Sequence, residues 1–411
     1  MTSQTSPTAH KAKVSLARLD SYDSPEEVLS AVRRALEPLG GMSAFVSPGN
    51  RVLLKVNLVA PAKPDEAVTT HPAIVRAVIR LVKECGGTAL VGDGPGVGDT
   101  KTAMQVSGIL DVVREEGAEM VVFEETATYE NSENILMPRL ELTSHLRNCD
   151  VLITLPKLKT HVQMAFTGAV KNQFGLIPGA AKGQFHFRFQ NRDHLASLMI
   201  DINRTARTRL AIMDAVVAME GNGPSGGDPR FLGAVIAGED IPAVDVVACT
   251  LIGLNPDANP LNLAARRANW GTTRMEDIEV VGENLDSLRC SDFVLVKAPA
   301  NIMRIRPLPQ AVLRWLRRQY APRPPIDSAL CLKCRRCANG CPVKPAAIDP
   351  LAVTVDDSLC IRCYCCHEFC PVKAISFEKS LLARWLPLPA IAAFLARALG
   401  SLRAIFARLF K

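Results

Sequence analysis

Eight of the thirteen cysteines fall into two copies of one spacing. Cys331, Cys334, Cys337 and Cys341-Pro342 read C-x2-C-x2-C-x3-C-P, and Cys360, Cys363, Cys366 and Cys370-Pro371 repeat it. Three thiolates two residues apart wrap one face of a cube on a tight loop. The proline after the fourth cysteine ends that loop and turns the chain away. A zinc site wants one tetrahedral set of four ligands, typically two C-x2-C pairs, and this duplicated triplet-plus-one pattern fits that badly. The spacing points to iron–sulfur chemistry.

The double run resembles the bacterial two-cluster ferredoxins. That resemblance implies two [4Fe–4S] clusters, low-potential electrons moved singly, and a crosswise ligand set in which each fourth cysteine serves the other cluster. One cluster would take Cys331, Cys334, Cys337 and Cys370; the other would take Cys360, Cys363, Cys366 and Cys341. Cys365 has no slot in this pattern and reads as an unligated thiol. Cys85, Cys149, Cys249 and Cys290 lie singly in or beside apolar segments and receive no role. Lys333, Arg335 and Arg336 crowd the first run. Their charge would raise the potential of that cluster, or dock an acidic partner.

Upstream, three segments carry other chemistry. Gly92-Asp93-Gly94-Pro95-Gly96-Val97-Gly98 follows a strand and opens a helix, where backbone N–H groups can hold an anion. The same segment also reads as a tight strand-to-helix loop. It matches neither a dinucleotide fingerprint nor a P-loop, and no flavin or NAD motif is evident. Pro156 to His161 (PKLKTH), then Thr167 to Gly175 (TGAVKNQFG), gather Lys157, Lys159, His161, Lys171 and Asn172 after another apolar strand. This reads as a cationic mouth on a strand-to-helix connection, or as a solvated basic loop. His161 would serve as acid, base or metal ligand. Asp214 sits in an apolar strand ahead of Glu220-Gly221-Asn222-Gly223-Pro224. A carboxylate at that depth needs a cation or a turn to cap, so it would face the lysines or bind metal with Glu220, His186 and His194.

The elements positioning these groups alternate. Apolar runs at Val52–Leu58, Thr88–Val91, Glu119–Phe123, Val151–Leu155, Leu210–Val217 and Ala234–Ala237 predict strands. Pro72–Cys85, Thr100–Glu116, His194–Thr205 and Pro242–Gly253 predict helices, the first closed by Gly86-Gly87. The pattern predicts an α/β domain over residues 14–303 with a largely parallel sheet. A basic Pro/Arg-rich linker with a short helix (304–325), a small α+β ferredoxin-like domain (326–378) and a basic amphipathic C-terminal helix (379–411) follow. The α/β segments, from Gly92-Asp93-Gly94-Pro95-Gly96 to Asp214–Pro224, are similar to domain-of-unknown-function family three hundred and sixty-two, often fused to a ferredoxin. Gly94 stands where that family usually has serine.

Composition bounds the rest. With 48% hydrophobic and 22% charged residues the chain reads as folded and soluble. Its N-terminus lacks a signal-like apolar stretch, so a reducing cytoplasm is expected. The net charge of +7 is concentrated in the two flanks of the cysteine domain, which contain no acid, leaving an acidic body. That excludes a general nucleic-acid binder. The flanks, with Trp315 and Trp385, suit peripheral contact with the inner face of an anionic membrane, packing on the protein's own core, or docking to a redox partner protein.

The resulting expectation is a ferredoxin-fused oxidoreductase. Lys157, Lys159 and Lys171 would hold an anionic organic substrate, His161 would move a proton, and Asp93 and Asp214 would orient the site. A non-enzymatic electron carrier or docking module, and a redox-sensing ligand-binding protein, are the alternatives.

Overall fold

The computed structural model describes residues 11–179, 181–296 and 319–378. It divides into two compact units, Met1–Lys297 and Ala298–Lys411. The linker around Trp315 and the C-terminal helix read from the sequence lie outside the described residues, apart from the linker's last few.

In the first unit the strands are β1 (Ala12–Arg18), β2 (Arg51–Lys55), β3 (Thr88–Asp93), β4 (Glu119–Val122), β5 (Thr126–Glu130), β6 (Arg139–Thr143), β7 (Val151–Thr154), β8 (Lys157–His161), β9 (Ala165–Thr167), β10 (Leu210–Glu220), β11 (Asp228–Gly238) and β12 (Ile278–Gly282). The helices are α1 (Pro25–Leu36), α2 (Pro72–Glu84), α3 (Thr100–Val106), α4 (Ile109–Glu115), α5 (Ala169–Asn172), α6 (Ala181–Arg188), α7 (Arg192–Ala206), α8 (Ile241–Leu251), α9 (Pro260–Arg267) and α10 (Leu285–Leu288).

The main sheet runs β12-β1-β11-β10-β7-β2-β3-β4, with β8 beside β10 and β9 beside β8. It is mostly parallel; β11 runs antiparallel to both β1 and β10, and β9 to β8. Alternate residues feed two cores. Val52, Leu54, Val151, Ile153, Leu210 and Ile212 pack with α1, α2 and α4, while Leu53, Leu152, Ala211 and Met213 pack with α7, α8 and α9. A sheet covered on both faces buries every position, which is why these strands read as unbroken apolar runs.

Two expectations change. Thr100–Glu116 is not one helix: Gly108, at φ 71°, breaks it into α3 and α4. Lys157–His161 is not a connecting loop but strand β8, paired in parallel with β10 and in a hairpin with β9. Its charged residues alternate, so a period of two puts Lys157, Lys159 and His161 on one face and sends Leu158 into the core.

The second unit is small. Its elements are α11 (Arg336–Asn339), β13 (Ile348–Asp349), β14 (Thr354–Val355) and α12 (Cys365–Glu368). β13 pairs antiparallel with β14, and bridges Arg323–Glu378 and Ile326–Ile375 tie the ends of the described segment together. Among the described residues, no helix is long and apolar enough to cross a membrane.

Candidate functional site

The parallel strands β2, β3 and β7 end in register, Lys55 opposite both Gly92 and Thr154. This carboxyl edge is where α/β folds place ligands. Lys55, fully buried, pairs with Asp93 at 2.6 Å and donates to Asn172 Oδ1 at 3.1 Å. Asp93 also accepts from the Leu58 N–H at 2.8 Å. Asn172 Nδ2 donates to Thr154 Oγ1 at 2.8 Å, and Asn57 Nδ2 donates to Asn172 Oδ1 at 3.1 Å. Asn57 Oδ1 accepts from Lys159 Nζ at 2.7 Å, and Lys159 also donates to the Val68 carbonyl at 2.6 Å. Lys55, Asp93, Asn172, Asn57 and Lys159 thus form one continuous hydrogen-bonded centre.

Gly175 closes over it. A Cβ there would lie 2.0 Å from Asp93 Oδ1 and 2.6 Å from Lys55 Nζ, so only glycine lets the chain pass. Lys182, on α6, donates to the carbonyls of Gly94 and Pro95. Burial lowers its pKa to about 8, with Asp93 opposing and the charges of Lys55 and Lys171 adding to the fall. Burial likewise lowers Lys55, against the pull of Asp93. Lys171 is half-buried on α5, and its charge also bears on His186, which burial lowers to about 4.

A second centre lies around Asp214. Lys157 Nζ meets Asp214 Oδ2 at 2.8 Å, with both side chains buried. Tyr22 donates to Asp214 Oδ1 at 2.5 Å and accepts from Lys157 at 3.1 Å, while the His71 N–H donates to Asp214 Oδ2 at 2.9 Å. Burial pushes the Asp214 carboxyl up, but Lys157, ahead of His71 and Tyr22, holds it below its ordinary value. The segment Val68–His71 joins the centres: Val68 receives Lys159, Thr70 Oγ1 accepts from the Asn57 N–H, and His71 reaches Asp214.

The seven residues read from the sequence therefore do not converge on one point. Asp93, Asn172 and Lys159 share the first centre, and Lys157 with Asp214 makes the second. His161, buried at the end of β8, accepts N–H groups of Gln163 and Met164 at its Nδ1, at 3.1 and 3.3 Å. That nitrogen is committed to the turn, so the neutral ring carries its proton on Nε2. A metal set of Asp214, Glu220, His186 and His194 is not formed: Asp214 is ion-paired, and Glu220 accepts the Val294 N–H at 2.9 Å. Among the described residues of the α/β unit, no three or more His, Cys, Asp or Glu side chains gather into a metal-ion site. Lys55, Asn57, Tyr22, His71 and Lys182 were missed. Lys55 and Asn57 had a signal, since a lysine and an asparagine two apart inside an apolar strand must be buried and partnered.

In the second unit the cysteines line two cavities. One is bordered by Cys331, Cys334, Cys337 and Cys370, the other by Cys341, Cys360, Cys363 and Cys366. Both loops turn the same way: Lys333 and Arg335 in the first, and Arg362 and Tyr364 in the second, hold φ between 55° and 63°. Such left-handed residues point backbone N–H groups inward, as anion-binding loops do. Lys333 N–H donates to Cys331 Sγ at 3.4 Å and Ala374 N–H to Cys370 Sγ at 3.2 Å. Beside the second cavity, Arg362 is buried, donates to Asp357 at 2.8 Å and lies against Cys360, while its Nε and Nη1 have no hydrogen-bond partner among the described residues within bonding geometry. Four thiols around each cavity, inward N–H groups and an incompletely satisfied guanidinium fit an anionic, sulfur-rich group.

Residues 52–250 match the family model described as "Domain of unknown function (DUF362)", and residues 353–376 match a "4Fe-4S binding domain". A thylakoid-associated protein of Synechocystis is 36% identical over 266 residues, covering 64% of this chain and 81% of that protein. Among solved structures, the lactate racemase apoprotein of Thermoanaerobacterium thermosaccharolyticum shares 16% identity at a TM-score of 0.37, over 58% of this chain and 56% of that one. A Thermotoga maritima protein shares 13% identity at 0.34, over 56% of this chain and 58% of that one. The chain spans little more than half the length of either structure. The 4Fe-4S match makes this an iron–sulfur protein of the electron-transfer kind. The chain belongs to the DUF362 family, here joined to an iron–sulfur domain.

Proposed function

We propose that the protein is an oxidoreductase in which two [4Fe–4S] clusters, one in each four-cysteine cavity, feed electrons to an anionic organic substrate at the carboxyl edge of the sheet. The observation that carries the reading is the division of the eight cysteines into two cavities, each completed by the fourth cysteine of the other run. A bound cluster supplies one electron at a time.

The α/β unit's own groups provide the rest. Lys157 is neutralised by Asp214, and Lys55 by Asp93, so both pairs shape the edge rather than grip a ligand. Lys182, seated on the Gly94 and Pro95 carbonyls, holds the anion, with the charge of Lys171 acting on the same group. With Nδ1 engaged by the turn, a neutral His161 is a poor proton donor. Lys182, at about 8, is better matched to proton transfer near neutrality. Reducing an organic double bond would take two electrons, relayed singly from a low-potential redox protein, one proton from Lys182 and one from solvent. Peripheral contact of the basic flanks with an anionic membrane belongs to the same reading, favoured by the thylakoid association of the Synechocystis relative.

The test uses full-length protein reconstituted without air. Two clusters require about eight irons and eight labile sulfides per chain. Reduced protein mixed with anaerobic small-molecule extract should reoxidise, and Lys182→Gln should slow this at least tenfold at unchanged iron content. About four irons would remove one cluster. Equal reoxidation by the variant would remove the substrate site.

A further inference from the structure

Beside the Asp214 centre lies an open cleft of about 630 Å³ that the reading above does not use. Its size falls within the roughly 300–1,000 Å³ of small-molecule sites. The His71 and Tyr22 rings, both lining it, stack at 3.6 Å between centroids and 7° between planes. His71 Nδ1 accepts the Ala73 N–H at 3.2 Å. Burial holds this imidazole near a pKa of 4, so at neutral pH its one proton sits on Nε2. Among the described residues, no group accepts that proton, which leaves a donor for a ligand.

Val216, Val217 and Phe231 give the cleft an apolar side, and Phe231 leaves 50% of its surface exposed. The charge around it is negative. Asp20, Asp23 and Asp65 line it with a single ammonium, that of Lys63. Asp20 is offset by Arg18 at 2.9 Å and Asp23 is hydrogen-bonded by Ser21, while Asp65 has no ion-pair partner among the described residues. A carboxylate ligand would meet this field unfavourably, and a cation with a flat body would satisfy both wall and charge.

We propose that this cleft is a second ligand site, taking a small organic cation on an aromatic body whose oxygen accepts from His71 Nε2. It is distinct in charge preference from the lysine-flanked edge, and stands whether or not that edge binds an anion.

Two probes of one shape and opposite charge test it: tyramine and 4-hydroxyphenylacetate, each titrated into the full-length protein and followed by ligand-observed NMR. Tyramine should bind at least tenfold more tightly. The double variant Asp23→Asn/Asp65→Asn should erase that preference, and Phe231→Ala should weaken tyramine without restoring the anion. All three positions are at the surface, and matching circular dichroism checks the fold. Equal binding of the two probes, no binding of tyramine, or a preference that survives the Asn variant would each overturn the assignment.

Discussion

Lys157 on β8 and Asp214 on β10 form an ion pair at 2.8 Å with 1% and 0% of their side chains exposed. Removing one partner from a buried pair strands the other's charge, at a cost of about 3–5 kcal/mol. Lys157→Met and Asp214→Asn should each destabilise the α/β unit by about that much. The double variant should recover a large part of the loss. Urea unfolding followed by circular dichroism reads this; singles no worse than the double would show that the pair is not ionised in the fold.

Gly175 is held by contact rather than by backbone conformation. Because a methyl group would intrude on Asp93 and Lys55, Gly175→Ala should cost about 1–3 kcal/mol through overpacking. The melting temperature of the α/β unit should fall, while iron bound per chain stays unchanged. A variant that melts like wild type would mean the Lys55–Asp93 centre is looser than drawn.

Three groups, the partly buried His71 and His186 and the buried Asp245, make stability depend on pH in opposing senses. Burial, with smaller effects of neighbouring charges, holds His71 and His186 near 4, so each contributes stability that is present above about 6.5 and lost as pH falls toward 4. Burial holds Asp245 near 7, against the N–H groups of Ala169 and Val170, so its contribution is full below about 3.8 and lost as pH rises through 7. Between pH 4 and 6.5 the histidines outnumber the aspartate, and stability from these groups should rise with pH. Asp245→Asn should steepen that rise by up to about 1.4 kcal/mol per pH unit, and His186→Gln should flatten it. Urea midpoints across that range decide; an unchanged slope in Asp245→Asn would place that carboxyl's folded pKa near its ordinary value.

On the two-cluster reading proposed above, Arg362 should tune one cluster and not the other. A buried charge near a cluster acts at an effective dielectric of about 20, roughly four times as strongly as in bulk water. Arg335, exposed beside the first cavity, is screened by solvent. Arg362→Gln should lower the reduced fraction of one cluster about tenfold at fixed potential, about 59 mV for a single electron. Arg335→Gln should do much less. Redox titration followed by electron paramagnetic resonance separates the two, and equal small shifts would deny Arg362 its role.

The strands of the sheet core were legible because a sheet buried on both faces needs apolar residues throughout, as in Val52–Leu54 and Val151–Ile153. Asp93, at the end of β3, was legible by position. β8 was not, because KLKTH carries the charge expected of a loop; its burial rests on partners far away in sequence, Asn57 and Asp214. Tyr22 and His71 were hidden for the same reason. Tyr22 reaches Asp214 from 192 residues away, and nothing local marks either ring as part of a centre. The cysteine spacing was legible because it is local, each loop turning on residues of its own.

The exchange of the fourth cysteines reverses the order in which the two cavities are finished during synthesis. The run made first lacks its last wall until Cys370 has emerged from the ribosome. The cavity of the later run already has all four thiols once Cys366 is out. Chains truncated between those residues would therefore carry three of the four thiols of the first run's cavity and all four of the second's.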